Sequence, residues 1–258
     1  MRRLPSAARV PRHQHHRDRR SRRGARSALA AGALPAWSQA LRVPPSAYAR
    51  SGGWTVDQDG RRVDLTFTGC RAITPHPRRD GDVTVATLRE DRCTWCESLL
   101  VDVLTVDGAH PTFRFLGLDG VLRVPVCPRC ASTCERTVVR VDGGTSTTEL
   151  VAPSGDRDRG DIGTFAAADH AEMTSRVFTL DPSPVPECCA LAGDETVITV
   201  GGLPGWSQDA HVEECPDCGR PMRHLASVPW NALVDAEGTL YLQLCTGCRV
   251  VVGAQQQT

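Results

Sequence analysis

Hydrophobic and polar residues alternate in two stretches of the chain, 120–126 (GVLRVPV) and 238–244 (GTLYLQL). In each stretch a glycine lies seven positions before a cysteine, and apolar side chains occupy every second position in between. This alternation is typical of a β-strand with one buried face. The two stretches therefore predict two strands with the same register, each of which runs into a cysteine.

Further apolar segments flank these two strands in the same order. Residues 99–107 (LLVDVLTVD) precede the first strand, and residues 222–230 (MRHLASVPW) correspondingly precede the second. Residues 136–142 (RTVVRVD) follow the first strand, as residues 249–256 (RVVVGAQQ) follow the second. Each part of the chain thus predicts CxxC, strand, loop, strand, CxxC, strand, which is the plan of a zinc ribbon. The sequence predicts a mainly β protein made of duplicated antiparallel β units.

One segment has the pattern of an α-helix, FAAADHAEMTSRV at 165–177. The polar stretch before it, 151–163, is interpreted as a linker. We expect the two repeats to pack into one body, because a β unit that cannot bury both faces alone needs a partner. The predicted regions are a disordered basic tail at 1–52, a first β/zinc-ribbon repeat at 53–150, a linker with a short helix at 151–175 and a second repeat at 176–258.

Charge is distributed unevenly along the chain. Residues 1–26 contain ten arginines and one acid, whereas the remainder contains 20 arginines against 29 acids, a net charge of −9. The arginine-rich tail has too few large apolar residues to fold, so we expect it to be disordered. The acidic remainder disfavours nucleic acid as the main partner, because phosphate binding needs clustered positive charge.

Two features exclude classes of function. No segment approaches the roughly 20 apolar residues that cross a bilayer, so no membrane association is predicted. The chain contains no lysine, which excludes Schiff-base chemistry and a P-loop lysine.

Eight of the twelve cysteines form four CxxC pairs, and these pairs fall into two sets. Two residues between cysteines let both sulfurs turn toward one point, as a tetrahedral zinc ion requires. Thirty residues separate the pairs of the first set and 26 those of the second, and loop closure costs little more at such lengths. The sequence predicts two zinc ions per chain, the first bound by Cys93, Cys96, Cys127 and Cys130 and the second by Cys215, Cys218, Cys245 and Cys248.

Disulfides and redox chemistry are the alternatives for these pairs. A disulfide within CxxC closes a very small ring and links nothing distant, so four of them would make a poor framework. A single CxxC also has the spacing of thioredoxin-type redox sites. Zinc-bound thiolates imply a reducing compartment, so we expect the protein in the cytoplasm. The other cysteines are interpreted as buried free thiols: Cys70, Cys134, Cys188 and Cys189.

A family resemblance rests on the C-terminal part of the chain. The hexapeptide LPGWSQ at 203–208, of which LPAWSQ at 34–39 is a near copy, lies upstream of a CxxC pair. The stretch GGLPGWSQ…CPDCGRPM…GTLYLQLCTGC…QQQT resembles the YwqG-like family of uncharacterised bacterial zinc-ribbon proteins. The resemblance covers 201–258 and, more loosely, 93–140. It implies a signature segment of Gly201, Gly202, Pro204 and Trp206, and metal ligands at Cys215, Cys218, Cys245 and Cys248.

The YwqG-like family is more distantly similar to the eukaryotic programmed cell death protein 2, and the eukaryotic relatives resemble chaperones that hold a ribosomal protein. The resemblance therefore implies protein binding. An aromatic side chain on a rigid knuckle makes a good partner-binding anchor, which favours Trp206 for this role. A buried tryptophan that staples the loop is the alternative.

Candidate catalytic residues are interpreted as structural. The Asp-His-Ala-Glu segment at 169–172 fits a solvated helix face, and His224 falls on a predicted strand in the core or at the surface. Four thiolates already fill a tetrahedral site, and a site of this kind is closed and structural rather than catalytic. Three residues near the third CxxC pair are therefore expected at the surface: His211, Glu213 and Glu214.

The sequence thus predicts a non-enzymatic zinc-binding protein that acts as a protein-interaction or chaperone-like module for an unidentified protein partner. Two alternatives stay open. One is a thiol–disulfide oxidoreductase that uses a CxxC pair. The other is a nucleic-acid-binding zinc ribbon that uses the arginine-rich tail.

Overall fold

The computed structural model describes residues 49–75, 83–132, 134, 136–142, 145–151, 167–185 and 196–257. They lie in one compact unit, Ser46–Thr258. The first 48 residues of the predicted tail, most of the predicted linker, and Cys188 and Cys189 lie outside the described residues. Ala49, which the prediction assigned to the tail, is buried.

The described part is mainly β and its sheets are antiparallel, as predicted. The strands are β1 (Trp54–Val56), β2 (Arg62–Asp64), β3 (Cys70–Pro75), β4 (Thr87–Arg92), β5 (Leu99–Asp107), β6 (Val121–Val126), β7 (Arg136–Asp142), β8 (Thr145–Val151), β9 (Phe178–Leu180), β10 (Ile198–Gly201), β11 (Arg223–Pro229), β12 (Thr239–Cys245) and β13 (Val250–Gln256). The helices are a 3-10 helix (Pro111–Leu116), α1 (Pro128–Ala131), α2 (Ala167–Ser175) and α3 (Trp230–Leu233).

Helix α2 lies within the segment where the sequence predicts a helix. Its residues His170 and Met173 are buried, so the helix packs one face against the rest of the unit. None of the helices in the described ranges has the length and apolar character that spanning a membrane requires.

Strands of both predicted repeats form one large sheet. Eight strands pair in the order β8-β7-β13-β12-β11-β10-β3-β9, so three strands from the first repeat and five from the second share it. Strands β4, β5 and β6 form a separate three-stranded sheet, and β1 and β2 form a hairpin. The two repeats therefore exchange backbone hydrogen bonds within one sheet.

The duplication is visible in the hydrogen-bond register. The pairing of β5 with β6 shifts between Asp102 and Leu104, and the pairing of β11 with β12 shifts between His224 and Ala226. Each irregularity begins six positions after the second cysteine of the preceding CxxC pair. A β-bulge at the same place in both units is the mark of one structural plan used twice.

The alignment of 99–107 with 222–230 is wrong by one residue. In the structure Val101 pairs with the residue before Cys127, and Arg223 pairs with the residue before Cys245. Val101 is therefore equivalent to Arg223, whereas the alignment places it opposite His224. Strand β5 is buried on both faces, so its sequence lacks the alternation that would have set the register.

The third strand of the first repeat leaves its own sheet. Strand β13 pairs with β12, but β7 pairs with β13 and β8 instead of β6. Pro125 in β6 has no N–H to donate to a further strand, which places β6 at an edge. Hydroxyls of β8 cover that edge, since Thr148 donates to the carbonyl of Pro125 and Ser146 to that of Arg123, both at 2.9 Å.

One hydrophobic core joins the two sheets. It contains Val103 and Leu122 from the three-stranded sheet and Ile198, Leu225 and Leu240 from the eight-stranded sheet, each at most 2% exposed. Burial of apolar side chains of this size stabilises a fold by about 1.5–3 kcal/mol per residue. The repeats are thus joined by a shared core as well as by a shared sheet.

Two glycines at the end of β10 are required by the backbone. Gly201 has a φ of +74°, and a Cβ there would overlap the carbonyl oxygen of Gly69. Gly202 has a φ of +72°, and a Cβ there would lie 3.0 Å from the sulfur of Cys70. Left-handed backbone and close approach both favour glycine, which explains the GG of the signature segment.

We expect Gly201→Ala to lower the free energy of unfolding by about 3 kcal/mol or more. A residue with a Cβ loses about 1–2 kcal/mol in left-handed backbone, and the alanine Cβ would in addition overlap the carbonyl oxygen of Gly69. Gly60→Ala is the matched control, since Gly60 has a φ of +76° and open space around its Cβ. The control should lose only the left-handed penalty, about 1–2 kcal/mol. Urea unfolding followed by tryptophan fluorescence measures both, and equal losses would contradict the overlap argument.

Candidate metal centres

The first CxxC pair of each repeat forms the same backbone knuckle. The N–H of Cys93 donates to the carbonyl of Ser98 at 2.8 Å, and that of Glu97 donates to the carbonyl of Cys93 at 3.0 Å. In the second repeat Cys215 donates to the carbonyl five residues on at 2.9 Å, and Gly219 donates back to Cys215 at 2.8 Å. These bonds turn both sulfurs of each pair to one side.

The second CxxC pair differs between the repeats. Cys127 caps the short helix α1, and its sulfur accepts the N–H of Cys130 at 3.4 Å. After Cys248 the chain turns through Arg249, whose φ is 55°. Arg249 also donates from its side chain to the carbonyl of Asp119 at 3.1 Å, which ties this turn to the first repeat.

The structure brings the eight predicted cysteines together in two quartets, and within each quartet the sulfurs lie within 4.8 Å of one another. Both quartets could hold a metal ion. Site 1 consists of Cys93, Cys96, Cys127 and Cys130, and site 2 of Cys215, Cys218, Cys245 and Cys248.

The sulfur spacing is that of a tetrahedral metal centre. The S···S distance is 3.6 Å between Cys93 and Cys130 and 3.8 Å between Cys218 and Cys245. Four sulfurs about 2.3 Å from a central ion lie about 3.8 Å apart, whereas a disulfide bond is about 2.05 Å long. No disulfide joins two of the ten cysteines in the described part. No CxxC pair therefore forms a disulfide within itself in this structure.

Ionisation of all four cysteines in a quartet requires a cation between the sulfurs. Hydrogen bonds from Cys127 and Cys130 lower the pKa of Cys93 far below its ordinary value. The pKa of Cys130 is raised by its hydrogen bonds with Cys127 and Cys93 and by burial. Four thiolates in so small a volume need positive charge at the centre.

Site 1 is enclosed by apolar side chains. Cys127 and Cys130 are fully buried, and the cluster packs against Trp95, Leu100 and Leu150. Leu150 belongs to β8, the strand that also covers the edge of β6. Site 1 therefore lies inside the fold of its own repeat.

Site 2 is open to solvent on one side. Cys215 is buried, whereas Cys218 is exposed and Cys248 is half-buried. The guanidinium Nε of Arg220 donates to the sulfur of Cys218 at 3.4 Å, and this hydrogen bond is the main cause that lowers the pKa of Cys218 to about 6. The pKa of Cys248 is raised to about 12, chiefly by its hydrogen bond to Cys218.

The inner side of site 2 rests on strands of the first repeat. Val138 of β7 and Val151 of β8 pack in the same cluster as the site 2 cysteines. On the surface, Arg140 of β7 bonds to Glu149 at 2.8 Å and to Asp217 of the knuckle at 3.1 Å. The second site is therefore supported by both repeats.

Trp206 stacks on the sheet beside its own loop. Its ring lies 4.5 Å from that of Tyr241, and the side chain is half-buried. The hydroxyl of Tyr241 donates to the carbonyl of Gly205 at 2.5 Å and accepts the N–H of Ser207 at 3.0 Å. The partner-binding role of Trp206 stays a prediction, and its ring also fastens the loop.

Two buried glutamines that the sequence analysis missed hold the rest of this loop. Gln243 accepts the N–H of Glu213 and donates to the carbonyl of His211, both at 2.9 Å. Gln256 accepts the N–H of Gln208 at 3.0 Å. We define the strap as residues 202–213, the loop that Tyr241, Gln243 and Gln256 fasten. A polar residue on an otherwise apolar strand was the signal that could have found them.

Glu213 is buried, at 6% exposure, so its interpretation as a surface residue is wrong. It is paired with Arg136 at 3.1 Å and with His211 at 2.7 Å. Burial raises the pKa of Glu213, but bonds from His211 and then Arg136 outweigh it and leave that pKa lowered. Glu213 thus ties the strap to β7, and Glu214 is exposed as predicted.

The other candidate residues lie apart from the metal centres. His224 is fully buried beside Trp206, and burial lowers its pKa to about 3, so its ring is neutral. His170 on α2 is buried and bonds to the carbonyl of Leu99 at 3.2 Å. Of the cysteines outside the quartets, Cys70 is buried as predicted and Cys134 is half-buried.

Comparison with known proteins gives a likeness without a stated activity. The chain is 28% identical over 235 residues to the uncharacterised protein YpfL of Salmonella typhimurium, covering 87% of this chain and 53% of that protein. The chain thus spans about half the length of this relative. No family model and no solved structure matches the chain. The likeness reaches an uncharacterised bacterial protein but does not show the YwqG-like family.

We expect Glu97→Gly to raise the free energy of unfolding by about 1 kcal/mol, because Glu97 holds a φ of 62° where the equivalent Gly219 holds 69°. The side chain of Glu97 is exposed, so little packing is lost. The reverse variant, Gly219→Glu, should lose a similar amount. Urea midpoints of the metal-loaded variants measure both, and destabilisation by Glu97→Gly would show that the two knuckles are not equivalent.

Proposed function

We propose that the chain binds two zinc ions, one in each quartet, and that these ions hold the two repeats folded. The observation that supports the proposal is the meeting of eight sulfurs from distant CxxC pairs at S···S distances near 3.6–3.8 Å. A tetrahedral set of four thiolates suits zinc or iron. Zinc is favoured because closed tetrahedral sites of four cysteines are typical of structural zinc.

We also propose that the protein is not an enzyme and that it acts by binding another protein. Four thiolates complete the coordination of zinc, which leaves no position for water or substrate on the metal. The resemblance of 201–258 to the YwqG-like family and, distantly, to programmed cell death protein 2 is part of this proposal.

The strap supports protein binding most directly. Three residues at its tip, Ser207, Gln208 and Asp209, are exposed, while Tyr241 and Gln256 fix the backbone beneath them. A loop that is already fixed loses little entropy when a partner binds it. The half-buried ring of Trp206 lies at the foot of this exposed tip and offers apolar contact area.

A thiol–disulfide oxidoreductase is the second candidate, favoured by the exposure of Cys218 and by its pKa of about 6. An enzyme of this class would exchange its metal-free thiols with a disulfide substrate. A closed zinc site would prevent this exchange, because the thiolates would be bound to the metal. The nucleic-acid alternative depends on the arginines of residues 1–26, which lie outside the described residues.

Metal analysis tests the zinc sites. We expect two zinc ions per chain by native mass spectrometry, and at most one ion after Cys127→Ser or Cys215→Ser, because each variant removes a ligand from one quartet. Loss of a structural zinc site costs on the order of 10 kcal/mol. Because the two repeats share one sheet and one core, each variant should destabilise the whole described unit and lower its melting temperature strongly. Cys134→Ser is the control, since Cys134 lies outside both quartets and should leave two ions bound. A Cys215→Ser variant with full metal content and unchanged melting would contradict the proposal.

Chemical crosslinking in cells, followed by affinity capture, tests the role of the strap. We expect the wild-type chain to recover one protein reproducibly and Asp209→Arg to lose it, because Asp209 is exposed at the tip of the strap. The charge reversal should leave the melting temperature unchanged, whereas Trp206→Ala should lower both capture and melting temperature. Equal capture by wild type and Asp209→Arg would exclude the strap as the binding surface.

A further inference from the structure

The two front knuckles share their backbone hydrogen bonds but carry different side chains around the sulfurs. Two positions after the first cysteine stand Trp95 in site 1 and Asp217 in site 2. Two positions after the second cysteine stand Ser98 in site 1 and Arg220 in site 2. The two quartets can therefore be compared directly, because their knuckles have the same backbone hydrogen bonds and differ in the side chains around the sulfurs.

Side chains shield the sulfurs of site 1. Trp95 and Leu100 pack against the cluster, and Cys96 is only 9% exposed. The sulfur of Cys96 lies 3.3 Å from the hydroxyl of Ser98, which is itself buried. The cysteines of site 1 are therefore less accessible from water than Cys218 of site 2.

The same position in site 2 is open. The side chain of Asp217 is bonded to Arg140 at 3.1 Å, so it takes part in a surface ion pair. Cys218 is exposed, and Arg220, itself exposed, donates a hydrogen bond to its sulfur. The sulfur of Cys245 lies 3.8 Å from that of Cys218, close enough to react with it after a small movement.

We propose that Cys218 and Cys245 are an oxidation site, at which a peroxide converts the two thiolates to a disulfide and so frees the metal of site 2 while site 1 keeps its metal. The metal readout of this inference rests on the proposed zinc binding, but the location of the disulfide does not.

The reaction has two steps that balance. The thiolate of Cys218 attacks one oxygen of the peroxide, forming an S–O bond and breaking the O–O bond, and hydroxide leaves and takes up a proton. The thiolate of Cys245 then attacks the sulfenic sulfur, forming the S–S bond and releasing a second hydroxide, which becomes water. Two electrons pass from the two sulfurs to the peroxide. Two ligands are lost from the quartet, so the remaining pair no longer retains zinc.

The test treats the zinc-loaded chain with hydrogen peroxide and follows released zinc with a chromogenic chelator. We expect one of the two ions to leave at least about tenfold faster than the other, because oxidation selects accessible thiolates. Alkylation of remaining thiols followed by peptide mass spectrometry should find Cys218 joined to Cys245, with the site 1 cysteines still reduced. Release of both ions at one rate, or oxidation of site 1 first, would overturn the inference.

Trp95→Asp is the matched variant, since it gives site 1 the residue that site 2 carries at the same position. We expect its two ions to leave at rates within about threefold of each other, because site 1 loses its shield. Metal content before treatment shows whether the variant has folded. A fully loaded variant whose site 1 resists peroxide as in the wild type would overturn the shielding argument.

The failure of the zinc proposal gives a different result. If the purified chain holds no metal, peroxide treatment of the reduced chain still tests the site through peptide mapping. A disulfide between Cys218 and Cys245 that forms before any in site 1 supports the inference, and equal oxidation of the two quartets overturns it.

Discussion

The fold depends on one geometric constraint, the meeting of four sulfurs at the end of a pair of strands. Each quartet joins a knuckle before the first strand to a knuckle after the second, so the two strands cannot slide past each other. A slip of one residue would turn the cysteine at the end of β6 or β12 to the opposite face of the sheet. The β-bulge also lies at the same place in β5 and β11, so the two repeats keep the same strand register relative to their first knuckles.

Duplication has produced two units that depend on each other. Strand β7 leaves the first repeat and pairs with β13 of the second, and the valines beneath site 2 come from β7 and β8. Arg136 and Arg140 on β7 make ion pairs with Glu213 and Asp217 of the second repeat. The second repeat therefore completes its core and supports its cysteine quartet with strands of the first.

Much of the fold and most of the candidate site could be predicted from local patterns in the sequence. The alternation before Cys127 and Cys245 predicts β6 and β12, and CxxC spacing groups the sulfurs correctly, because both depend on neighbouring residues. Features that depend on distant partners were out of reach. The buried position of Glu213 comes from Arg136, 77 positions away, and β7 changes sheet because Pro125 ends pairing on β6. The register of β5 was missed because the strand is buried on both faces.

The difference between the repeats follows from the length of one loop. Ala86, with a φ of 55°, is equivalent to Gly201, because Thr84 pairs with Thr105 as Thr199 pairs with Ser227. Fourteen positions separate Gly201 from Cys215, whereas seven separate Ala86 from Cys93. The longer loop brings backbone N–H and carbonyl groups onto the sheet, and each buried group needs a partner. Gln243 supplies one partner at the position where the first repeat has Pro125, which can donate nothing from its backbone or side chain. The polar residues Tyr241 and Gln243 of β12 therefore serve as hydrogen-bond partners of the strap. The second repeat has the strap in addition to the shared plan, whereas the first repeat supplies strands that support the second.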